Sequence, residues 1–268
     1  MHNVKQLVKQ LFSNLLLKRN NKNISLVSYL GVQLYGFNDQ KSTQKLKLGL
    51  YEEIEELIFF KTNFLSDDVF LDIGANMGFY TVLASKYVDI VIAFEPINKN
   101  VALIELSLAI SNSENCLIYQ NIVSDQDTEF QFIEVSQSGL SRVVLDGEKN
   151  IEKHIKEEYG EALTKISKYK SLTIDSLNLS RVDIVKIDVE GFELKVIAGA
   201  METFKRCRPR IIMIEIVKSA MLLHGDKSED LITTLKNLGY SPKILFEGGL
   251  VDYVGQNIPR DNLFFSLN

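Results

Sequence analysis

Asp72 and Glu95 are two carboxylates placed on either side of a glycine turn, and their spacing describes a site for a small ligand that carries positive charge. The turn is Gly74-Ala75-Asn76-Met77-Gly78, with G-x-x-x-G spacing. A dinucleotide fingerprint reads G-x-G-x-x-G and rests a pyrophosphate on the following helix N-terminus. Asp72, just before the first glycine, would repel that pyrophosphate. S-adenosylmethionine carries an ammonium and a sulfonium and no phosphate, so the same carboxylate becomes an asset. Glu95 follows at roughly the 20 residues where an acidic side chain meets ribose hydroxyls in Rossmann-type sites. Asp72 also has a local reading, because an aspartate at a strand end often caps the next turn.

Asp188, Glu190, Glu215 and His224 form a second group of residues able to do chemistry. Methyl transfer from a sulfonium is an in-line displacement, with the acceptor oxygen about 3 Å from the methyl carbon. An alcohol is a poor nucleophile, so a base or a metal has to take or weaken its proton. Asp188, at the end of an apolar strand, is placed to be base or metal ligand; equally, it could hold the Gly191 turn and the next helix N-terminus. Glu190 and His224 are the other catalytic candidates. A histidine titrates near neutrality, although a lone loop histidine is more often only solvated. Asp188, Glu190 and Glu215 could jointly hold a divalent cation through oxygen, yet nothing in their spacing demands one. Glu193 reads as a helix N-terminal carboxylate.

The elements that must position these groups alternate between strand and helix. Val69 to Ile73 is a short apolar run, and after the glycine turn Tyr80, Leu83, Ala84 and Tyr87 fall at helical spacing. Ile90 to Glu95 predicts a second strand, Ile97 to Ile110 a helix and Cys116 to Ile122 a third strand. Val182 to Ile187 and Arg210 to Ile216 are further strands, with helices at Phe192 to Ala200 and Glu229 to Leu238. Such alternation implies parallel βαβ units with the ligand crevice beyond the strand carboxyl ends. Asn121 should therefore border the crevice, where its amide could read an adenine edge. Tyr240 to Phe246 and Asn262 to Leu267 predict an antiparallel pair that closes the sheet across the glycine-rich Gly248 to Gly255 stretch.

The alternation breaks at 125–170. Glu129 to Glu134 reads as a strand and Gly139 to Arg142 as a turn, while Ile151, Ile155, Tyr159 and Ala162 recur at helical spacing. The segment is a partly helical insertion able to cover the site, with Gly139 and Gly147 as hinges, or a solubilising loop. Upstream, Tyr51 to Phe64 predicts a helix with Ile54, Leu57, Ile58 and Phe64 inward and Glu52, Glu53, Glu55 and Glu56 outward. Residues 20–45 are polar, with short strands or turns around Ser25 to Tyr35. Val4, Leu7, Val8, Leu11, Phe12 and Leu15 make residues 3–17 amphipathic, a face for packing on the domain or on a second copy of the chain. A membrane-surface anchor is poorly supported by so few basic residues.

The chain has 268 residues, enough for one large α/β domain. Its formal net charge of −5 argues against a phosphate-tracking nucleic-acid surface. Cys116 and Cys207 have no zinc or redox spacing and read as buried reduced thiols. No run approaches the roughly 18 apolar residues of a membrane span, and the N-terminus lacks a continuous apolar core like that of a signal peptide, so the expected location is the cytoplasm.

D-I-G-A-N-M-G-F-Y-T at 72–81, F-E-P at 94–96, T-I-D-S-L at 173–177 and K-I-D-V-E-G-F-E at 186–193 resemble the FkbM family of S-adenosylmethionine-dependent methyltransferases. The resemblance runs from about Tyr51 to Leu267. It includes Tyr51-Glu52, the G-x-S at Gly139 to Ser141 and the strand ending at Glu215-Ile216. It implies a class I, Rossmann-like methyltransferase fold, α/β, with a seven-stranded mostly parallel sheet whose last strand is antiparallel. An N-terminal helical extension over 1–45 would precede the domain at 46–268. It also implies O-methylation of a carbohydrate or small natural-product hydroxyl. By position, Asp72, Gly74, Asn76 and Gly78 correspond to the cofactor turn, Glu95 to the ribose ligand, and Asp188 with Glu190 to the strand end beside the methyl. Residues 1–45 and 142–170 depart from the pattern. A nicotinamide-dependent reductase or epimerase, or a catalytically silent Rossmann-like module, are the competing readings.

Overall fold

The computed structural model describes residues 23–135, 141–144, 153, 156, 163–255, 258 and 261–267. The amphipathic stretch 3–17, the hinges Gly139 and Gly147, and the helical positions Ile151, Ile155, Tyr159 and Ala162 lie outside the described residues.

A hairpin comes first, β1 (Ile24–Tyr29) and β2 (Val32–Phe37). Leu30 and Gly31 turn it, both at positive φ, as a two-residue turn between twisted strands requires. α1 (Lys41–Leu48) was not legible in the sequence: it is largely polar and buries only Thr43 and Leu46. α2 (Ile54–Asn63) corrects the expected helix facing, since Glu56, Leu57, Phe59 and Phe60 are buried and Ile58 is 44% exposed. Aromatic packing sets that rotation. Phe60 meets the rings of Phe59, Phe64, Phe70, Tyr80 and Phe264, and burying these rings outweighs exposing one isoleucine.

β3 (Val69–Ile73), α3 (Phe79–Ala84), β4 (Ile90–Phe94), α4 (Asn98–Ile110) and β5 (Cys116–Tyr119) follow in alternation. The expected third strand ends early, because Gln120 and Asn121 interrupt it and bond to Pro96 O and Lys170 O. Ile122 then joins a different sheet. That sheet consists of β6 (Ile122–Val123), β7 (Glu129–Val135), β8 (Arg142–Val144) and β9 (Leu163–Leu172), in the order β6-β9-β7-β8. The described part of the insertion is thus mainly β-structure, with helix at Lys153 and Lys156 where the sequence pattern expected it.

The remaining elements are β10 (Ile184–Ile187), α5 (Glu193–Ala198), α6 (Met201–Cys207), β11 (Ile211–Glu215), α7 (Lys218–Leu223), α8 (Ser228–Asn237), β12 (Tyr240–Phe246), β13 (Gly249–Asp252) and β14 (Asn262–Leu267). Among the described residues the main sheet has eight strands, β13-β12-β14-β11-β10-β3-β4-β5. That is one more than the seven expected, since β13 adds an edge hairpin inside the stretch read as a glycine-rich connection. β14 runs antiparallel between β11 and β12, as expected for the last strand. The order turns back at β3, whose neighbours are β4 and β10. This is a topological switch point, and ligands bind in open α/β sheets beyond the strand ends at such a point.

Strand alternation splits the core into two faces. Phe70, Ile184, Met213 and Phe264 point to the layer with α2, α3 and α4, and Leu71, Ile73, Val185 and Ile187 to the layer with α5, α6 and α8. The same period of two sends Asp72 and Lys186, partners in register, to the first face. Cys116 and Cys207 are half-buried free thiols rather than fully buried ones. Among the described residues no helix is long and apolar enough to cross a membrane.

Candidate active site

The ends of β3 and β10 come so close that the first turn residue has to be glycine. Gly74 has φ 80°, and a Cβ there would lie 1.8 Å from Asp188 O. Its N–H and that of Ala75 donate to Phe94 O at 3.0 Å each, which bends the chain away from the sheet. Asn76 follows at φ 51°. Gly78 closes the turn directly before α3, where a Cβ would meet Ile104 Cγ1 at 2.6 Å. Gly78 therefore seats α3 against α4 and lines neither of the two cavities described below.

Glu95 emerges from β4 beside this turn. Its Oε2 accepts from Asn76 N–H at 2.9 Å, and its Oε1 from Ile97 N–H at 2.9 Å and Asn100 Nδ2 at 3.1 Å. Burial pushes its carboxyl up to about 7, against the pull of these hydrogen bonds. The side chain borders a cavity of about 580 Å³ together with Gly74, Asn76, Asn121, Phe132, Ser141, Val143, Asp188, Glu190 and Phe192. Ile97, Ile122, Phe132, Val143 and Phe192 are a separate apolar cluster that furnishes its walls. A slot with one buried carboxylate and apolar sides has the lining chemistry that suits a nucleoside. Asn121 lines it as expected, with its amide NH2 donated to Lys170 O at 3.2 Å. The insertion therefore contributes Phe132, Ser141 and Val143 to the Glu95 cavity, and the second cavity is built without its described residues.

Asp72 lines neither cavity. It is fully buried, accepts from Thr81 Oγ1 at 2.5 Å and lies 3.7 Å from Lys186 Nζ. The strand runs one residue past it, so its side chain points into the layer beneath the turn and not into the crevice. Lys186 ties this ground together. Its ammonium donates to Gly74 O at 2.8 Å and to Asp188 Oδ2 at 3.0 Å. Burial works against that charge, but Asp188, Asp72 and Glu53 outweigh it and hold the ammonium well above the ordinary lysine range.

The second cavity, about 1050 Å³, is lined by Gln40, Lys41, Tyr51, Glu53, Met77, Tyr80, Lys186, Asp188, Glu190 and Glu215 among others. Asn76, Asp188 and Glu190 belong to both cavities. Asp188, Glu190 and Glu215 are brought together as expected, with one ligand atom of each within 4.8 Å of the others. Glu190 has φ 55° and Gly191 φ 97°, a sharp turn that aims the glutamate back toward Asp188. Burial and then the Asp188 charge push the Glu190 and Glu215 carboxyls well above the usual range. Hard oxygen donors of this kind suit Mg²⁺ or Ca²⁺, although Lys186 already supplies a positive charge to Asp188.

Glu193 accepts from Gly191 N–H at 2.9 Å, which is the helix-starting role read from the sequence. His224 is not brought to the carboxylates: it lines neither cavity and packs edge-on against Phe192 with ring centroids 5.3 Å apart. Glu53 and Tyr80 were missed. Tyr80 donates to Glu53 Oε2 at 2.6 Å inside the second cavity. The signal in the sequence was the single pair Tyr51-Glu52, and the run of glutamates around it read as a solvated face.

A family model described as the methyltransferase FkbM domain matches residues 72–242. Among solved structures, the FkbM methyltransferase of Methylobacillus flagellatus KT is similar at 13% identity and a TM-score of 0.47, over 76% of this chain and 44% of that one. The chain thus spans less than half the length of that protein. A Streptococcus mutans protein in complex with SAH is similar at 10% identity and a TM-score of 0.43, over 79% of this chain and 94% of that one. Trm5b of Pyrococcus abyssi is similar at 10% identity and a TM-score of 0.44, over 91% of this chain and 54% of that one. No curated protein matches the sequence.

Proposed function

The chain belongs to the FkbM family of methyltransferase domains, and from there we propose that it is an S-adenosylmethionine-dependent O-methyltransferase acting on a hydroxyl of a carbohydrate or small natural-product acceptor. The observation that carries this reading is the meeting of two cavities at Asn76, Asp188 and Glu190. Group transfer needs two compartments that touch at one point, because the reacting atoms have to approach to about 3 Å while the rest of each molecule is held apart.

Glu95 would take the ribose hydroxyls, the backbone of the Gly74 turn would give room for close approach, and Asn121 would border the base. Phe132, Val143 and Phe192 would exclude water from the base. Bound there, the donor supplies a methyl group on a positively charged sulfur. On the other side, the carboxyl and phenol oxygens of Glu53, Glu190, Glu215 and Tyr51 line the second cavity. Oxygen-rich walls of this kind suit an acceptor with several hydroxyls, since each O–H can donate to a carboxylate and accept from a carboxyl that keeps its proton.

Thermal unfolding with S-adenosylmethionine, S-adenosylhomocysteine, NADH and NADPH tests the donor. At about 100 times its dissociation constant, a ligand that binds only the native state stabilises it by about 2.7 kcal/mol. Stabilisation by both adenosyl compounds, and methyl-labelled product from a panel of hexoses, deoxyhexoses and methyl hexosides, is the expected result. Stabilisation by NADH alone would favour the reductase or epimerase instead. Donor binding without transfer to any acceptor class would favour the silent module.

A further inference from the structure

We propose that Glu53 is the proton acceptor for the acceptor hydroxyl, with Tyr80 as the positioning residue that holds its carboxylate. The inference rests on the methyltransferase reading and deepens it. Glu53 stands at the start of α2, and its side chain enters the second cavity, where Tyr80 from α3 takes Oε2 at 2.6 Å. That fixes the carboxylate and leaves Oε1 for the proton. The other carboxyl groups of the cavity are committed elsewhere. Glu52 pairs with Lys45 at 2.5 Å on the exposed rim, and Asp188 is held by Lys186 at 3.0 Å. Glu190 and Glu215 gather with Asp188, one ligand atom of each within 4.8 Å of the others.

The groups that face Glu53 are Tyr80 from α3, Lys186 and Asp188 from β10 and its end, Glu215 from β11, and Tyr51 and Glu56 from its own segment. Burial and then the Asp188 charge push the Glu53 carboxyl up to about 7, while Tyr80 and Lys186 pull it down. A base in this range is substantially ionised near neutral pH and still basic enough to hold the proton it takes. In the step, the acceptor oxygen forms the C–O bond as the methyl–sulfur bond breaks, with the bonding pair left on sulfur. The hydroxyl proton goes to Glu53 Oε1 and from there to water.

The test uses Glu53→Gln and Tyr80→Phe in the full chain, with folding checked by stabilisation with S-adenosylhomocysteine. Carbon-13 NMR titration of labelled glutamate carboxyls, with S-adenosylhomocysteine present, should show Glu53 among the resonances with midpoints near 7, beside Glu95 and Glu193, and it is the one that disappears in Glu53→Gln. In Tyr80→Phe the same midpoint should rise, because the lost hydrogen bond stabilised the ionised form. Turnover on a methyl hexoside from the panel should fall by about 10² in Glu53→Gln, and its acid limb should move to higher pH in Tyr80→Phe. A merely structural glutamate would not move that limb. A Glu53 carboxyl titrating in the ordinary range, or Glu53→Gln turning over at the wild-type rate, overturns the inference while the methyltransferase reading stands. Failure of S-adenosylhomocysteine to stabilise even the wild-type protein overturns both.

Discussion

Asp72 holds the glycine turn from below. It faces Lys186 across the β3–β10 pair, both side chains are buried, and the lysine passes the restraint upward to Gly74 O and Asp188. Two strand ends that carry the ligand turn are therefore cross-linked by one ammonium. Asp72→Asn removes a charge that the lysine needs, so the protein without ligand should itself lose stability. The loss should be on the order of 3 kcal/mol, the low end for breaking a buried pair, since Lys186 keeps Asp188. Urea unfolding measures it, and affinity for S-adenosylhomocysteine should drop in parallel as the turn loosens. Wild-type stability in the variant would show that the pair does not restrain the turn. The sequence placed Asp72 beside the ligand because a strand-end carboxylate and a cationic ligand match in charge. The alternation of the strand, which turns position 72 inward, was the stronger constraint.

At the level of elements, the legible parts were those whose burial is two-sided. β3, β10 and β11 are near-continuous apolar runs, as strands covered by helices on both faces have to be. β9 was hidden for the opposite reason. Ser167, Tyr169 and Ser171 occupy one side and bond to Glu134 and to the backbone near Thr128, so the packed face of the strand is polar and no apolar alternation appears. Glu53 was illegible because four glutamates in five positions look like a solvated run, and only the aromatic packing of α2 decides which of them turns inward. The short helices α6 and α7 fall below the length at which periodicity is readable. The sheet of β7 to β9 also alters what its loss should do: Phe132 and Val143 wall the Glu95 cavity. Phe132→Ala should remove apolar contact from the bound donor and weaken S-adenosylhomocysteine binding by about tenfold, the effect of roughly 1.4 kcal/mol. Calorimetry reads this, and unchanged affinity would assign the wall a structural part only.

The whole molecule concentrates buried acid. Glu53, Glu95 and Glu193 are each pushed from the ordinary value of 4.5 up to about 7, with burial the largest cause in all three. Between these values the folded chain retains protons that the unfolded chain has released, so unfolding releases protons and stability falls as pH rises. Denaturant midpoints of the ligand-free protein should decrease steadily from about pH 5 to pH 8. Glu190 and Glu215, also raised by burial, act with the same sign. A flat or rising midpoint across this window would contradict the burial of these groups.

The two cavities meet at three residues but draw their outer walls from different lengths of chain. Phe132, Ser141 and Val143 lie within the residues that match the family, whereas Gln40, Lys41, Tyr51 and Glu53 precede its first matched position, Asp72. On the proposed reading, the half that would meet the donor lies inside the matched residues, and part of the half that would meet the acceptor lies in the stretch before them. Exchanging 40–53 for a relative's segment is accordingly expected to change the acceptor while leaving S-adenosylhomocysteine binding in place.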